Sequence, residues 1–287
     1  MSHASPEDWA LIWGSDVSST DEADPGRAII EAFWRREFSI MPAINRALEI
    51  GAGGSAAVAK LMSECFANTE IIASDFRAVP TLPGAIAYVG NASLEAMPFA
   101  DGDFDLIAGQ FVFEYANAQK ASAELSRILR SGGSLKLLVH HAESNFSVTL
   151  PHRERCLQAG VILYRALNTT DAFLRKVRIR AALKQITTLI AFSRQQGPLF
   201  SNVLGDLMDF SQIAQTRLGG AKSSTESVLA LCEPCLRLTR AQTAATLSEP
   251  QIAERLSMLQ GAGFHSTEIA ELCVGGRPLA WTVSAQR

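Results

Sequence analysis

The chain has 287 residues, with 26 basic against 29 acidic side chains, a formal charge of −3 and five cysteines. This length supports a full core in one domain with a large insertion or in two modest domains, and excludes a small isolated binding motif. The near balance of charge excludes the global basic bias that holds nucleic acid electrostatically, and an odd, scattered set of cysteines argues against a disulfide framework.

No apolar run approaches the ~20 residues of a membrane span, and the opening MSHASPEDWA lacks a basic segment followed by an apolar core. A cytoplasmic protein with no membrane span is expected. Residues 1–25 are polar and acidic around Trp9, Leu11, Ile12 and Trp13, and end at the turn signal Asp24-Pro25-Gly26. Two tryptophans in a polar arm ask for burial, either in a lid over a ligand or, more plainly, by packing on the domain surface. Ile29, Ile30, Phe33, Trp34 and Phe38 predict a helix over 27–39.

The centre of the chain is Leu48 to Ala59, LEIGAGGSAAVA. Ala47, Leu48 and Ile50 suit a buried strand, while Val58, Leu61, Met62 and Cys65 recur at helical spacing. The glycine-rich turn between them lets backbone lie against a ligand, with the amides of the helix start expected to point at it. The same letters satisfy the dinucleotide fingerprint through Gly51, Gly53 and Ala56, with Asp75 following at about the ~20-residue interval of a ribose contact. A nucleotide-like ligand is therefore expected, without its identity.

Glu70 to Ser74 predicts a second strand ending at Asp75. Pro80, Pro83 and Gly84 break the next stretch, and Ala85 to Val89 predicts a third strand leading to Gly90-Asn91-Ala92-Ser93. Phe104 to Ala108 predicts a fourth strand, Lys120 to Arg130 a helix stopped by Gly132-Gly133, and Leu135 to Val139 a fifth strand followed by His140 and His141. Alternating strands and helices imply a mainly parallel sheet, whose ligands bind at the strands' carboxyl ends.

Residues 144–247 change character. They are arginine-rich and helical in pattern, with the stripe Ile179, Leu183, Ile186 and Ile190, and are expected to form an insertion that roofs the acceptor site. Burial of that stripe against a second copy, giving a homodimer, is the other outcome. Ser248 with Gln251 predicts the start of a last helix, Gly261-Ala262-Gly263 its stop, and two antiparallel strands follow, Phe264 to Leu272 and Pro278 to Ala285, joined by Gly275-Gly276.

Four segments in order, ALEIGAGGS, IIASDFR, GNASLEAMPFADGDFDLIAGQFVFEYA and ELSRILRSGGSLKLLV, resemble the class I S-adenosylmethionine-dependent methyltransferases, particularly the small-molecule branch of ubiquinone and menaquinone biosynthesis. The resemblance covers about residues 27–143 and 248–287. It implies a Rossmann-like, doubly wound, mainly parallel seven-stranded α/β sheet with an antiparallel last strand. It implies further that Glu49, Gly51, Ala52 and Gly53 hold the methionine part of S-adenosyl-L-methionine, that Asp75 and Phe76 take the ribose, that Asn91, Ala92 and Ser93 meet the adenine, and that Gln110 and Phe111 approach the cofactor from the fourth strand. Ser55, Asn91 and Ser131 depart from the family's usual glycine, aspartate and proline; none removes the site, since Ser55 is small and an asparagine carbonyl still accepts from an adenine amino group.

His140 and His141 are the candidates for a base that removes the acceptor's proton, with Glu114 and Tyr115 behind them. Packing and a strand-end hydrogen bond are the plainer roles for the two histidines. Cys232-Glu233-Pro234-Cys235 matches C-x-x-C but has no second pair, so buried or idle thiols and no metal are expected. Between Pro151 and Arg194 stand Arg153, Arg155, Arg165, Arg175, Lys176, Arg178, Arg180, Lys184 and Arg194 against Glu154 and Asp171. A solvated helix face is the ordinary meaning of such a run; an anionic substrate or RNA is the alternative. The reading is methyl transfer to a small-molecule acceptor, with nucleic acid disfavoured. An RNA methyltransferase and a non-catalytic cofactor-binding protein are its rivals, and a nicotinamide dehydrogenase stands further off.

Overall fold

In the computed structural model, residues 8–9, 25–77, 86–221 and 226–287 are described. Helix α1 (Pro25–Ser39) precedes strand β1 (Arg46–Ile50), and the glycine turn then leads into α2 (Ala57–Cys65). β2 (Glu70–Ser74), β3 (Ala87–Val89) and β4 (Phe104–Gln110) follow, then a 3₁₀ turn at Phe113–Tyr115, α3 (Ala118–Ile128) and β5 (Leu129–His140). After a run of helices the chain closes with α8 (Glu249–Gly261), β6 (His265–Val274) and β7 (Arg277–Gln286).

The seven strands form one sheet in the order β3-β2-β1-β4-β5-β7-β6, with β7 antiparallel to both neighbours and the remaining ladders parallel. This is the doubly wound α/β architecture expected. β1 and β4 read as near-continuous apolar runs because both their faces are covered: Leu48, Ile50 and Ile107 belong to one buried cluster, Ala47, Leu106 and Ala108 to another on the opposite face. Trp34, Phe38, Phe104 and Phe113 are each at most 2% exposed, and burying side chains of that size stabilises the fold by about 1.5–3 kcal/mol apiece before entropy is counted.

Local signals placed several boundaries. Ser248 N–H donates to Gln251 Oε1 at 2.9 Å in the expected capping box, and Ile252 and Leu259 are buried. Gly275 and Gly276 both have positive φ, 55° and 76°, the backbone a two-residue hairpin requires between twisted strands.

Other expectations are corrected. Gly132-Gly133 does not stop α3. That helix ends at Ile128, Leu129 is already extended, and both glycines lie inside β5, where the ladder to β4 shifts register and Gly132 N–H donates to the Arg287 carbonyl. Arg130 is accordingly a strand residue, and its Nε pairs with Asp105. His140 is the last residue of β5, and only His141 follows it. On α2 the buried positions are Val58, Ala59 and Met62, whereas Cys65 is exposed. Trp13, Asp24, Pro80, Pro83, Gly84 and Ala85 lie outside the described residues.

Two compact units are present, Trp9–Ser147 with Ala245–Arg287, and Val148–Ala244 with Asp8. The second is helical: most of α4 (Asn145–Leu167), then α5 (Ala172–Gln196), α6 (Ser201–Leu218) and α7 (Cys232–Ala245). Its own core includes Leu163, Ile179, Ile186, Leu207 and Phe210, with Leu183 and Ile190 packed at the margin, so the predicted stripe is buried within the unit. Asp8 binds Arg237 through both carboxylate oxygens. Among the described residues no helix is long and apolar enough to cross a membrane.

Candidate cofactor and active site

The strand order reverses between β1 and β4, so the loops leaving their carboxyl ends diverge and open a crevice there. Gly51 forms one wall. Its φ is +65°, and a Cβ at this position would lie 2.3 Å from Cγ2 of Val112 on the opposite wall, so the two loops meet with no room for a side chain.

Three amides of the turn are bonded within the chain. Ala52 N–H donates to the Ser74 carbonyl at 2.9 Å, Gly53 N–H to Asp75 Oδ2 at 3.0 Å, and Ala56 N–H to the Ala52 carbonyl at 3.0 Å. Val58 and Ala59, in the first turn of α2, donate to Glu49 Oε1 and Oε2 at 3.2 and 2.8 Å. The expectation that helix-start amides face a ligand is therefore corrected for Val58 and Ala59: Glu49 caps α2 from beneath. Burial raises the Glu49 carboxyl to about 8, against the pull of these two amides.

Asp75, just past β2, is half-buried. Its Oδ1 accepts the Arg77 N–H at 3.0 Å, and the carboxylate's remaining lone pairs stay available to hydroxyl donors. Phe76 beside it is 41% exposed. Ala92 N–H donates to the Asp75 carbonyl at 3.0 Å, which brings the Asn91-Ala92-Ser93 turn against the end of β2. Asn91 is exposed with φ +55°, a region asparagine tolerates; Ala92 is buried and Ser93 exposed. Tyr88 Oη, which the sequence did not single out, donates to the Gly53 carbonyl at 3.3 Å.

At the end of β4, the buried Trp34 donates its indole N–H to Gln110 Oε1 at 2.8 Å, leaving the amide's NH₂ side to donate elsewhere. Phe111 has φ +54° and stacks on the His140 ring at 4.2 Å and 5°. Phe146 stacks on the same ring at 4.9 Å, and Tyr115 meets it edge-on. Burial lowers the His140 pKa to about 4. His141 is 4% exposed and stacked on Trp281; its Nδ1 accepts the Glu143 N–H at 3.0 Å, which leaves Nε2 as the donor to Glu271 Oε1 at 3.3 Å. Neither histidine is set up as a base near neutrality: one ring is held neutral between aromatic faces, and the other has both nitrogens occupied.

Glu114 fills part of the space behind them. Its Oε1 accepts the His140 backbone N–H at 2.8 Å, and Arg255 of α8 donates to the carbonyls of Phe113 and Glu114, fixing the turn. Trp34, Tyr88 and Arg255 carry no motif, and only their contacts identify them as supports of the site.

The other candidates lie in the helical unit. Burial raises the Cys232 thiol to about 12 and also raises Cys235, so both remain thiols. Within the basic run, Arg165 pairs with Glu233, while Arg175 and Arg178 donate to Thr169; Lys176, Arg180 and Lys184 form an exposed row at four-residue spacing.

The donor set fits S-adenosylmethionine. The strand end that presents the free lone pairs of Asp75, with the Asn91 turn against it, suits a ligand that brings hydrogen-bond donors, as a ribose diol and an adenine amino group do. A pyrophosphate bound at the turn would compete with Asp75 for the Gly53 N–H. Residues 48–137 match a family model described as a methyltransferase domain. No curated protein matches the chain. Among solved structures, a Thermotoga maritima S-adenosylmethionine-dependent methyltransferase, a possible histamine N-methyltransferase, is similar at 11% identity over 97% of this chain and 99% of that one, TM-score 0.47. A methyltransferase from Methanococcus maripaludis is similar at 15% identity over 98% and 91%, TM-score 0.44. A geranyl diphosphate methyltransferase in complex with GPP and sinefungin is similar at 13% identity over 39% of this chain and only 44% of its own, TM-score 0.33. Likenesses at this level say nothing further about this chain. Over residues 48–137 the family match, with the donor set at the strand ends, identifies an S-adenosylmethionine-dependent methyltransferase domain.

Proposed function

We propose that the protein transfers the methyl group of S-adenosylmethionine to a small-molecule acceptor, in the manner of the small-molecule branch its sequence resembles. The observation that carries this reading is Asp75, whose Oδ2 fastens the Gly53 N–H while the carboxylate keeps lone pairs for a ribose diol at the strand end. Gly51, Ala52 and Gly53 would lie along the amino-acid part, with Glu49 bracing the start of α2 from beneath through the Val58 and Ala59 N–H groups. Asp75 and Phe76 would meet the ribose, Asn91, Ala92 and Ser93 the adenine, and Gln110 and Phe111 the far side.

When bound, the cofactor supplies a methyl group on a positively charged sulfur. The chain would contribute alignment and exclusion of water, with Phe111, Tyr115 and Phe146 packed around His140 as an aromatic end to the site. A second reading, RNA methylation, draws on the exposed row Lys176, Arg180 and Lys184. We infer further that the helical unit governs the choice of acceptor, so substitutions within Val148–Ala244 should alter acceptor selectivity and leave cofactor binding intact.

Incubating the protein with methyl-labelled S-adenosylmethionine and a cell extract, then separating small metabolites from RNA and protein, tests the reading. Label in the small-molecule fraction is expected. Label confined to RNA would replace this reading with the second.

A further inference from the structure

Glu114 lies in the 3₁₀ turn leaving β4, two positions beyond the Val112 side chain that meets Gly51 across the crevice. It is 3% exposed. Oε1 accepts the His140 N–H at 2.8 Å, but Oε2 is buried with no hydrogen-bond partner among the described residues. Both oxygens of the buried Glu49 are hydrogen-bonded, whereas an unpaired carboxylate oxygen shut away from water is unfavourable.

The charged and titratable groups around it do not relieve this. Arg255, from α8, directs its guanidinium to the carbonyls of Phe113, Glu114 and Ala116 and not to the carboxyl. His140 Nε2, from β5, stands 4.0 Å from Oε1, and its ring is neutral near pH 7 because burial lowers its pKa to about 4. Tyr115, on the same turn, stays a phenol because burial raises its pKa. Burial accordingly raises the Glu114 carboxyl to about 7, with the backbone bonds and Arg255 pulling the other way.

We propose that Glu114 is a proton-exchanging counter-charge for the methyl donor: neutral while the crevice is empty or holds the neutral thioether product, and ionised while it holds a positively charged sulfur. The proposal rests on the reading that S-adenosylmethionine binds between β1 and β4. On ionisation the carboxyl O–H bond breaks, its electron pair stays on the carboxylate and the proton passes to solvent; no other bond changes. Once the methyl group has left, the sulfur is neutral, and the carboxyl takes a proton back. The attraction that held the donor then does not hold the product.

Calorimetric titration of the full chain with S-adenosylmethionine and with S-adenosylhomocysteine, each in two buffers of different ionisation enthalpy slightly below neutrality, reads the protons exchanged. Both ligands carry the same amino group, so a response of Glu49 appears with both and cancels in the comparison. The expected result is an excess release of up to about one proton per site with S-adenosylmethionine, absent in E114Q. Equal release from the two ligands in the wild-type protein overturns the proposal without recourse to any variant, as does an excess that survives in a folded E114Q. If neither ligand binds the wild-type protein, the cofactor reading fails and the proposal with it, an outcome distinct from binding with equal release.

Discussion

Asp75 Oδ2 accepts the backbone N–H of Gly53 at 3.0 Å, which fastens the acid at the end of β2 to the glycine turn at the end of β1. The carboxylate therefore shapes the turn as well as offering lone pairs to a ligand. Asp75→Ala should weaken S-adenosylhomocysteine by about 1.5–3 kcal/mol, the range for hydrogen bonds to a charged group. Asp75→Asn should lose less, because its amide oxygen still accepts the Gly53 N–H. Equal affinity for wild type and Asp75→Ala in a calorimetric titration would remove Asp75 from the site.

Gly51→Ala meets two separate obstacles, the positive φ and the Val112 side chain 2.3 Å from the new Cβ. The substitution should destabilise the fold by about 1–3 kcal/mol and weaken cofactor binding. Adding Val112→Ala should recover the steric part and leave the φ part, so the double variant should melt between wild type and Gly51→Ala. Melting of Gly51→Ala at the wild-type temperature would show that the two loops are not in contact.

The buried Glu49 gives stability a definite pH dependence. Its folded pKa, about 8, lies above the ordinary carboxyl value of 4.5, so between these values the folded state binds more protons than the unfolded one. Stability from this group is full below the unfolded pKa and is lost as pH rises through the folded one. Relative to Glu49→Gln, the wild type should therefore lose a few kcal/mol between about pH 4.5 and 8 in denaturant titrations. A difference between the two proteins that stays constant with pH would contradict the raised value.

His140 works in the opposite direction. Its pKa is lowered from 6.5 to about 4, so its contribution is present above the unfolded pKa and disappears as pH falls through the folded one. His140→Phe keeps the stack with Phe111 and Phe146, and should melt less acid-sensitively than wild type while retaining turnover within a few-fold. A loss of about a hundredfold or more in His140→Phe, with cofactor affinity unchanged, would establish the imidazole as the base.

Much of the sheet was legible because its signals are local. Ser248 with Gln251, Gly275-Gly276 and the apolar runs at β1, β2 and β4 each specify their own backbone. What was misread depended on partners distant in sequence. Gly132-Gly133 reads as a helix stop, yet its hydrogen bonds are with Arg287 at the far end of the chain. The glycine turn reads as a row of free amides, and only the folded chain reveals that Ala52 and Gly53 are bonded to the Ser74 carbonyl and to Asp75 at the end of β2. His140 and His141 stand where a base would be useful; what engages them is the stacking of Phe111 and Phe146 on one and of Trp281, with the Glu143 N–H, on the other, which no spacing encodes. Glu114 ranked behind them because a single buried acid in an apolar segment resembles any other until its second oxygen is found unpaired.

The central claim is that the acceptor-lined crevice between β1 and β4 takes S-adenosylmethionine and not a dinucleotide. Calorimetric titration of the purified protein with S-adenosylmethionine, S-adenosylhomocysteine and NAD tests it most directly. Saturable binding of the first two, weakened by Asp75→Ala and unaffected by excess NAD, is the predicted result. Tight NAD binding with no response to S-adenosylhomocysteine would contradict it.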